Sequence, residues 1–153
     1  MNIELWWQGK TRDKYLQPGI DDYRKRISFY NRFDIKEFSA SKVKHRDEQV
    51  INDDQSYLRQ LDSRSLVVLL DEKGESMTSK DFSVFCEKIL VQPVNKVVFV
   101  IGGAYGFGAT MRARANYQVR LSSMTFTHDM VRLIFLEQLY RAFSIINNLP
   151  YHH

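Results

Sequence analysis

The sequence predicts an α/β fold, a mostly parallel sheet with helices on both faces. Short runs of β-forming residues alternate along the chain with segments whose apolar residues recur at helical spacing, the order produced when crossover helices join parallel strands. Two of the runs, 66–70 and 97–101, are apolar throughout, as strands covered on both faces are. The second leads directly into Gly102-Gly103-Ala104-Tyr105-Gly106-Phe107-Gly108, which holds four of the chain's seven glycines. At the C-terminal end of a parallel strand, such a loop lies where open α/β sheets take their ligands. Without a Cβ, its backbone can approach a flat or phosphorylated ligand, although the same residues can also serve only to turn the chain. The dinucleotide pattern G-x-G-x-x-G and the P-loop G-K-[ST] are both absent, so any ligand is held by a different arrangement.

Taken in order, Ile3-Glu4-Leu5-Trp6-Trp7 reads as a first strand, closed by Gly9-Lys10. Tyr15, Leu16, Ile20, Tyr23 and Ile27 mark a helix over 13–29, which tolerates Pro18 if the helix proper starts near it. Residues 33–38 alternate as a half-buried second strand. The polar stretch 39–49 suggests an exposed loop or a frayed helix start, before a weakly apolar helix over 50–61. The buried strand 66–70 is stopped by the charged turn Asp71-Glu72-Lys73-Gly74-Glu75. Thr78 and Asp81 have capping-box spacing, and Phe82, Phe85, Cys86, Ile89 and Leu90 form one face of the helix they open, which Pro93 ends. After the 97–101 strand and its glycine loop come a short helix over 110–116, a weaker strand over 117–121, a polar loop and a long helix over 129–146. No repeat, low-complexity tract or linker interrupts the chain, so 1–153 reads as one domain.

The last helix carries more apolar residues than one stripe needs: Met130, Val131, Leu133, Ile134, Phe135, Leu136, Leu139, Tyr140, Phe143 and Ile146 cover well over half its circumference. The surplus calls for a two-fold homodimer, the commonest oligomer, or for a helix buried centrally within one chain.

Hydrophobic content of 44% and charged content of 26% are ordinary for a globular protein, and no apolar run approaches the length of a membrane span. The N-terminus carries no signal-peptide pattern, and the single cysteine, Cys86, excludes an internal disulfide and a cysteine-only metal site. These features together indicate a cytoplasmic protein. The net charge of +4 permits nucleic-acid binding, and its distribution is more telling than its size. Residues 109–153 hold Arg112, Arg114, Arg120, Arg132 and Arg141 against only Asp129 and Glu137, with no lysine. Arginine's planar fork suits phosphate, and Arg112, Arg114 and Arg120 flank the glycine loop. Arg132 and Arg141 sit about two and a half turns apart on the long helix and so point to opposite sides. Arg24-Lys25-Arg26 forms a second basic cluster, most simply a solvated helix face.

Several spaced segments occur in register: Phe99-Val100-Ile101-Gly102-Gly103; Leu121-Ser122-Ser123-Met124-Thr125-Phe126-Thr127-His128; Glu137-Gln138-Leu139-Tyr140-Arg141-Ala142-Phe143; and the closing Asn148-Leu149-Pro150-Tyr151-His152. Together they resemble, end to end, the bacterial RlmH family, 23S ribosomal RNA (pseudouridine-N3)-methyltransferases of the SPOUT superfamily. The resemblance implies a SPOUT-type α/β methyltransferase with a C-terminal trefoil knot, dependence on S-adenosylmethionine and a homodimer. It also implies a pseudouridine in 23S rRNA of the assembled ribosome as substrate. Carried over by position, the cofactor site would be Leu70, Gly102, Gly103, Leu121, Ser122, Ser123, Met124, Thr125 and Phe126. These supply aliphatic walls, bare backbone and small hydroxyls of the kind an adenine slot needs. Two positions depart from the family pattern. Thr127 stands where proline is common before the loop histidine, and a threonine there can cap the following helix. The tail reads Tyr151-His152-His153 where a lysine or arginine usually closes it, so a phosphate contact through His153 is weakened.

The N3 of pseudouridine carries a proton that must leave before the nitrogen attacks a methyl group. The histidines His128, His152 and His153 are the bases available by pKa, with His128 at the mouth of the cofactor loop the first choice. Tyr151 and His152 are further catalytic candidates, acting on the base or the RNA backbone. Two other readings stay open: a non-catalytic knotted dimer that binds RNA or ribosomes, and a SPOUT ribose 2′-O-methyltransferase.

Overall fold

A computed structural model describes all of residues 1–153. The chain runs β1 (Asn2–Gln8), α1 (Gln17–Ile27, entered through a 3-10 turn at Lys14–Leu16), β2 (Arg32–Phe38), α2 (Arg46–Leu58) and β3 (Ser65–Ser76). It continues through α3 (Ser79–Leu90), β4 (Lys96–Ile101), α4 (Ala109–Arg114), β5 (Tyr117–Arg120) and α5 (His128–Ile146). The five strands form one sheet in the order β2-β1-β4-β3-β5, and every pairing is parallel. All strand C-termini therefore lie at the same end of the sheet. The connection from β1 leads to β2 on one side, whereas that from β4 leads past β3 to β5 on the other. The β1–β4 boundary is consequently the switch point of the topology.

Side chains alternate between the two faces along each strand. Ile3, Leu5 and Trp7 face the larger core under α1, α3 and α5, while Trp6, Val67, Leu69, Val98 and Val100 face a smaller core with Tyr57 and Met111 under α2 and α4. Helices thus cover both faces, as the strand–helix alternation predicts. Pro18 occupies the first turn of α1, where its missing N–H is no loss, and the Thr78–Asp81 capping box forms as read.

Helix ends shift by a few residues, α2 spanning Arg46–Leu58 rather than 50–61 and α1 Gln17–Ile27 rather than 13–29, and one strand boundary differs in kind. The charged turn after Leu70 does not end β3; the strand bulges there and rejoins β5 through Glu75↔Val119 and Ser76↔Arg120. Gly74 permits the return, because a Cβ at that position would lie 2.6 Å from the Val119 backbone. The bulge turns Asp71 toward Arg112, with which it forms an ion pair.

α5 packs against both α1 and α3, and Phe135, Leu136, Leu139, Ala142 and Phe143 are buried by its own chain. Its central place in a three-helix layer accounts for most of the apolar surplus seen in the sequence. Ile134 and Ile145 remain half-buried.

α4 is too short to hold its own N-terminus. Asp54, fully buried on α2, accepts hydrogen bonds from the Gly108 N–H (3.1 Å), the Met111 N–H (3.3 Å) and the Thr110 hydroxyl (3.0 Å). A carboxylate at a helix N-terminus is favoured by both the free N–H groups and the helix dipole. Asp54→Ala is expected to destabilise the protein by about 2–4 kcal/mol, since it strands two backbone donors, and Asp54→Asn by less. Urea unfolding of the three proteins measures this.

Candidate active site

The C-terminal ends of β3, β4 and β5 open into a cavity of about 750 Å³. Its lining includes Leu70, Gly102, Gly103, Leu121, Ser122, Ser123, Met124, Thr125 and Phe126, the full set that the resemblance implies for a cofactor. β3 delivers Leu70 and β4 delivers the two glycines, while the segment after β5 folds over as the opposite wall. That segment is shaped locally: the Ser122 hydroxyl accepts the Met124 N–H at 3.0 Å. Thr127 accepts the Met130 N–H at 3.3 Å, so threonine does cap α5 in place of the expected proline. Met124 is 76% exposed and Phe126 36% exposed, apolar groups that the core leaves free. Apolar walls with hydroxyls and bare backbone suit a nucleoside such as that of S-adenosylmethionine.

The glycines answer to their neighbours as well as to any ligand. A Cβ on Gly103 would lie 3.0 Å from an Asp53 carboxylate oxygen, and one on Gly108 would lie 2.6 Å from an Asp54 oxygen. Gly106 has φ +73°, where side chains are strained. The loop is therefore compressed against two buried carboxylates of α2. Tyr57, also on α2, donates its hydroxyl to the Ile101 carbonyl at 3.0 Å and fixes the end of β4. Desolvation raises the Asp53 carboxyl above its ordinary range, the Asp54 charge adds to this, and a Ser41 backbone hydrogen bond opposes it.

A second cavity, about 580 Å³, lies between the ends of β1 and β4 and shares Ile101, Gly102, Gly103, Ala104 and His128 with the first. His128, the first residue of α5, thus faces both. Much of the residue meets solvent, but the ring is desolvated enough to lower its pKa from the ordinary 6.5. The Arg132 and Arg12 charges lower it further, against Asp129. These effects favour the neutral ring over the charged one.

The remaining candidates lie elsewhere or are already engaged. Arg112 and Arg120 reach the rim of the first cavity, Arg112 paired with Asp71 and Arg120 hydrogen-bonded to the Ser76 hydroxyl. Arg114 donates to the carbonyls of Asp62 and Ser65 and does not line the cavity. Tyr151, His152 and His153 are not brought to either cavity in one chain. Tyr151 instead hydrogen-bonds Tyr23 (3.0 Å) and Glu137 (3.1 Å), and Arg141 donates to His152 Nδ1 at 3.1 Å, beside the Glu137–Arg141 pair. Burial, the Tyr23 hydrogen bond and the Glu137 charge push the Tyr151 phenol up, so it can donate a proton in a hydrogen bond but not serve as a base. His153 is exposed. Arg24 and Arg26 pair with Asp34 and Asp22 on the surface, as a solvated face would.

Read alone, the sequence assigns no role to Asp53 and Asp54, and it counts Asp129 and Arg132 only as charges of the long helix. The Asp129 carboxylate accepts the backbone N–H groups of Arg12 (2.7 Å) and Asp13 (2.8 Å). Arg132 donates to the Gln8 carbonyl (2.8 Å) and the Thr11 hydroxyl (3.0 Å). A signal existed in α2, where adjacent aspartates stand in a helix with too thin an apolar stripe to bury alone.

An all-parallel sheet with contiguous cavities at the carboxyl ends of its strands is the layout of an α/β enzyme of the nucleotide- or cofactor-binding class. The model of the family described as "Predicted SPOUT methyltransferase" matches residues 1–152. The ribosomal RNA large subunit methyltransferase H of Flavobacterium johnsoniae is 45% identical over 100% of this chain and 99% of its own length. That of Geotalea daltonii is 42% identical over 100% of both chains. The chain belongs to the SPOUT methyltransferase family, and the resemblance read from its spaced motifs is borne out.

The lowered pKa of His128 has a consequence for stability. Folding depresses it, so between pH 6.5 and the lower folded value the unfolded chain takes up a proton that the native one refuses. The stability difference between wild type and His128→Gln should be constant above about pH 6.5 and turn progressively against wild type as the pH falls. Unfolding at a series of pH values, with the ring titrated by NMR, checks both sign and window.

Proposed function

We propose that this protein transfers a methyl group from S-adenosylmethionine to N3 of a pseudouridine in 23S ribosomal RNA of the assembled ribosome. We further propose that it does so in the cytoplasm, as a single-domain homodimer. The observation that carries this reading is the convergence of the nine cofactor-site positions on one cavity, next to a histidine whose neutral form is favoured. Relatives aligned over their whole length and named for large-subunit rRNA methylation support the substrate. S-adenosylmethionine, when bound, supplies an electrophilic methyl group on a good leaving group. Leu70, Phe126 and Met124 would hold its apolar parts, and Gly102, Gly103 and the hydroxyls of Ser122, Ser123 and Thr125 its polar ones. What remains for the protein is to align the incoming nitrogen, which can contribute roughly 7–11 kcal/mol in well-oriented models. His128 takes the N3 proton at its free ring nitrogen, aided by a lowered pKa that favours its neutral form. Arg112 and Arg120 are the phosphate-binding groups at the rim; Arg114 acts by fixing the chain beneath them, and His153 extends from the tail.

The knot belongs to the same proposal. β5 lies at one sheet edge, yet α5 packs on α1 near the other half, so residues 121–127 must cross the ends of β3 and β4 among the loops that leave them. The dimer gives the tail its role. Met130, Ile134, Glu137 and Arg141 are half-buried and recur at three- and four-residue spacing, forming one stripe from the cavity end of α5 to the tail cluster. Two such stripes paired about a two-fold axis perpendicular to them run antiparallel, an arrangement that would set Tyr151 and His152 of one protomer near the cavity of its partner.

Purified protein incubated with labelled S-adenosylmethionine and ribosomes lacking the modification should place one methyl group on N3 of a large-subunit pseudouridine, read by nuclease digestion and mass spectrometry. A methyl group on a ribose oxygen would move the assignment to 2′-O-methylation, and cofactor binding without transfer to any RNA would overturn the enzyme reading. Phe126→Ala should weaken cofactor binding by about tenfold in calorimetry while leaving stability within about 1 kcal/mol.

A further inference from the structure

The second cavity has features that the cofactor site does not use. It sits at the β1–β4 switch point, where α/β sheets form their ligand crevice, and it shares the Gly102–Gly103 wall and His128 with the cofactor cavity. Five buried side-chain atoms in the chain have no hydrogen-bond partner, and three of them belong to residues lining this crevice: Trp7 Nε1, Gln8 Oε1 and Arg132 Nε. Trp7 is 2% exposed and Arg132 3% exposed, so these two residues form its floor, with the half-buried Gln8 beside them. Buried donors and acceptors left without partners are rare, and three of the five belong to residues of this one crevice. Two N–H donors and one carbonyl acceptor are what a uracil-type ring needs, since it carries ring carbonyls and ring N–H groups.

The mouth is basic. Lys10 and Arg12 line it with exposed side chains. Three carboxylates also line the crevice. Asp129 is occupied by two backbone N–H groups, Asp53 is biased toward its neutral form by burial, and Asp13 remains. Lysine and arginine around a polar slot suit a nucleotide drawn out of its strand, the phosphates outside and the base within.

We propose that the β1–β4 crevice receives the target base, with Trp7, Gln8 and Arg132 contacting its ring edge and Lys10 and Arg12 its flanking phosphates. This rests on the methyltransferase reading and adds where the substrate enters: the base reaches the methyl donor across His128, from the side opposite the cofactor.

Two measurements test it. In NMR, pseudouridine 5′-monophosphate is titrated into protein saturated with S-adenosylhomocysteine. The indole N–H signal of Trp7 should shift, while that of Trp6, on the opposite face of the sheet and hydrogen-bonded to Glu4, should not. In kinetics, Lys10→Glu/Arg12→Glu should raise KM for ribosomes at least about tenfold with cofactor affinity unchanged. Lys80→Glu/Lys88→Glu on α3 makes the same charge change as a control and should have a much smaller effect. If wild type methylates ribosomes but the Trp7 signal is unmoved and the Lys10/Arg12 variant behaves like the control, the crevice holds only water and the proposal falls alone. If wild type itself transfers nothing, the underlying reading fails and takes the proposal with it.

Discussion

The Asp129 carboxylate holds the backbone N–H groups of Arg12 and Asp13, and one turn further along α5 the Arg132 guanidinium holds the Gln8 carbonyl and the Thr11 hydroxyl. These contacts tie the first residues of α5 to the loop leaving β1, across most of the length of the chain. Both cavities depend on that tie. The segment 121–127 has to travel from β5 at the sheet edge to this anchor, and in doing so it becomes the far wall of the larger cavity. The anchored loop is in turn one wall of the smaller cavity. Arg132 and Asp129 are 3.7 Å apart and both buried. Burying a charge pair contributes little net stability, but losing one member leaves the other uncompensated. The pair is better understood as fixing position than as adding stability.

α2 plays the same part for the glycine loop. Asp54 holds the start of α4, Tyr57 holds the last carbonyl of β4, and Asp53 closes on Gly103. A loop rich in glycine would otherwise lose much conformational entropy on adopting a single shape. Polar groups donated from a neighbouring helix offset that cost and leave the loop's outer surface bare. Glycine at 103 and 108 thus follows first from the closeness of α2, and the open backbone facing the cavity is its consequence.

Most of the fold was legible because it rests on local chemistry. The strands announce themselves as apolar runs, the Thr78–Asp81 cap sits at a fixed spacing, and Pro18 marks the first turn of α1. That the nine positions proposed for the cofactor would line one cavity came only through the resemblance; composition alone would have assigned Leu70 to ordinary core. What stayed hidden was long-range. Asp53 and Asp54 look like solvent-facing residues of a weak helix until α4 and Gly103 are placed above them. The 71–75 segment looks like a plain turn until β5 takes the position that pulls it back into the sheet. The apolar excess of α5 pointed to a homodimer or to central burial in one chain, and α1 and α3, which flank it, account for most of it by the second route.

The anchor reaches the two cavities at His128. Its ring stands at the boundary of the two cavities, and the Arg132 charge that secures α5 to β1 is also the largest charge effect lowering its pKa. Asp129 works against this from the neighbouring position, but its carboxylate is already engaged by two backbone N–H groups and lies near the same guanidinium. Burial at the cavity boundary is the main cause of the lowered pKa, and the residue that secures α5 adds to it. The contact that positions α5 also contributes to the lowered pKa, so a change that loosened α5 from the β1 loop would move the ring and weaken that contribution together.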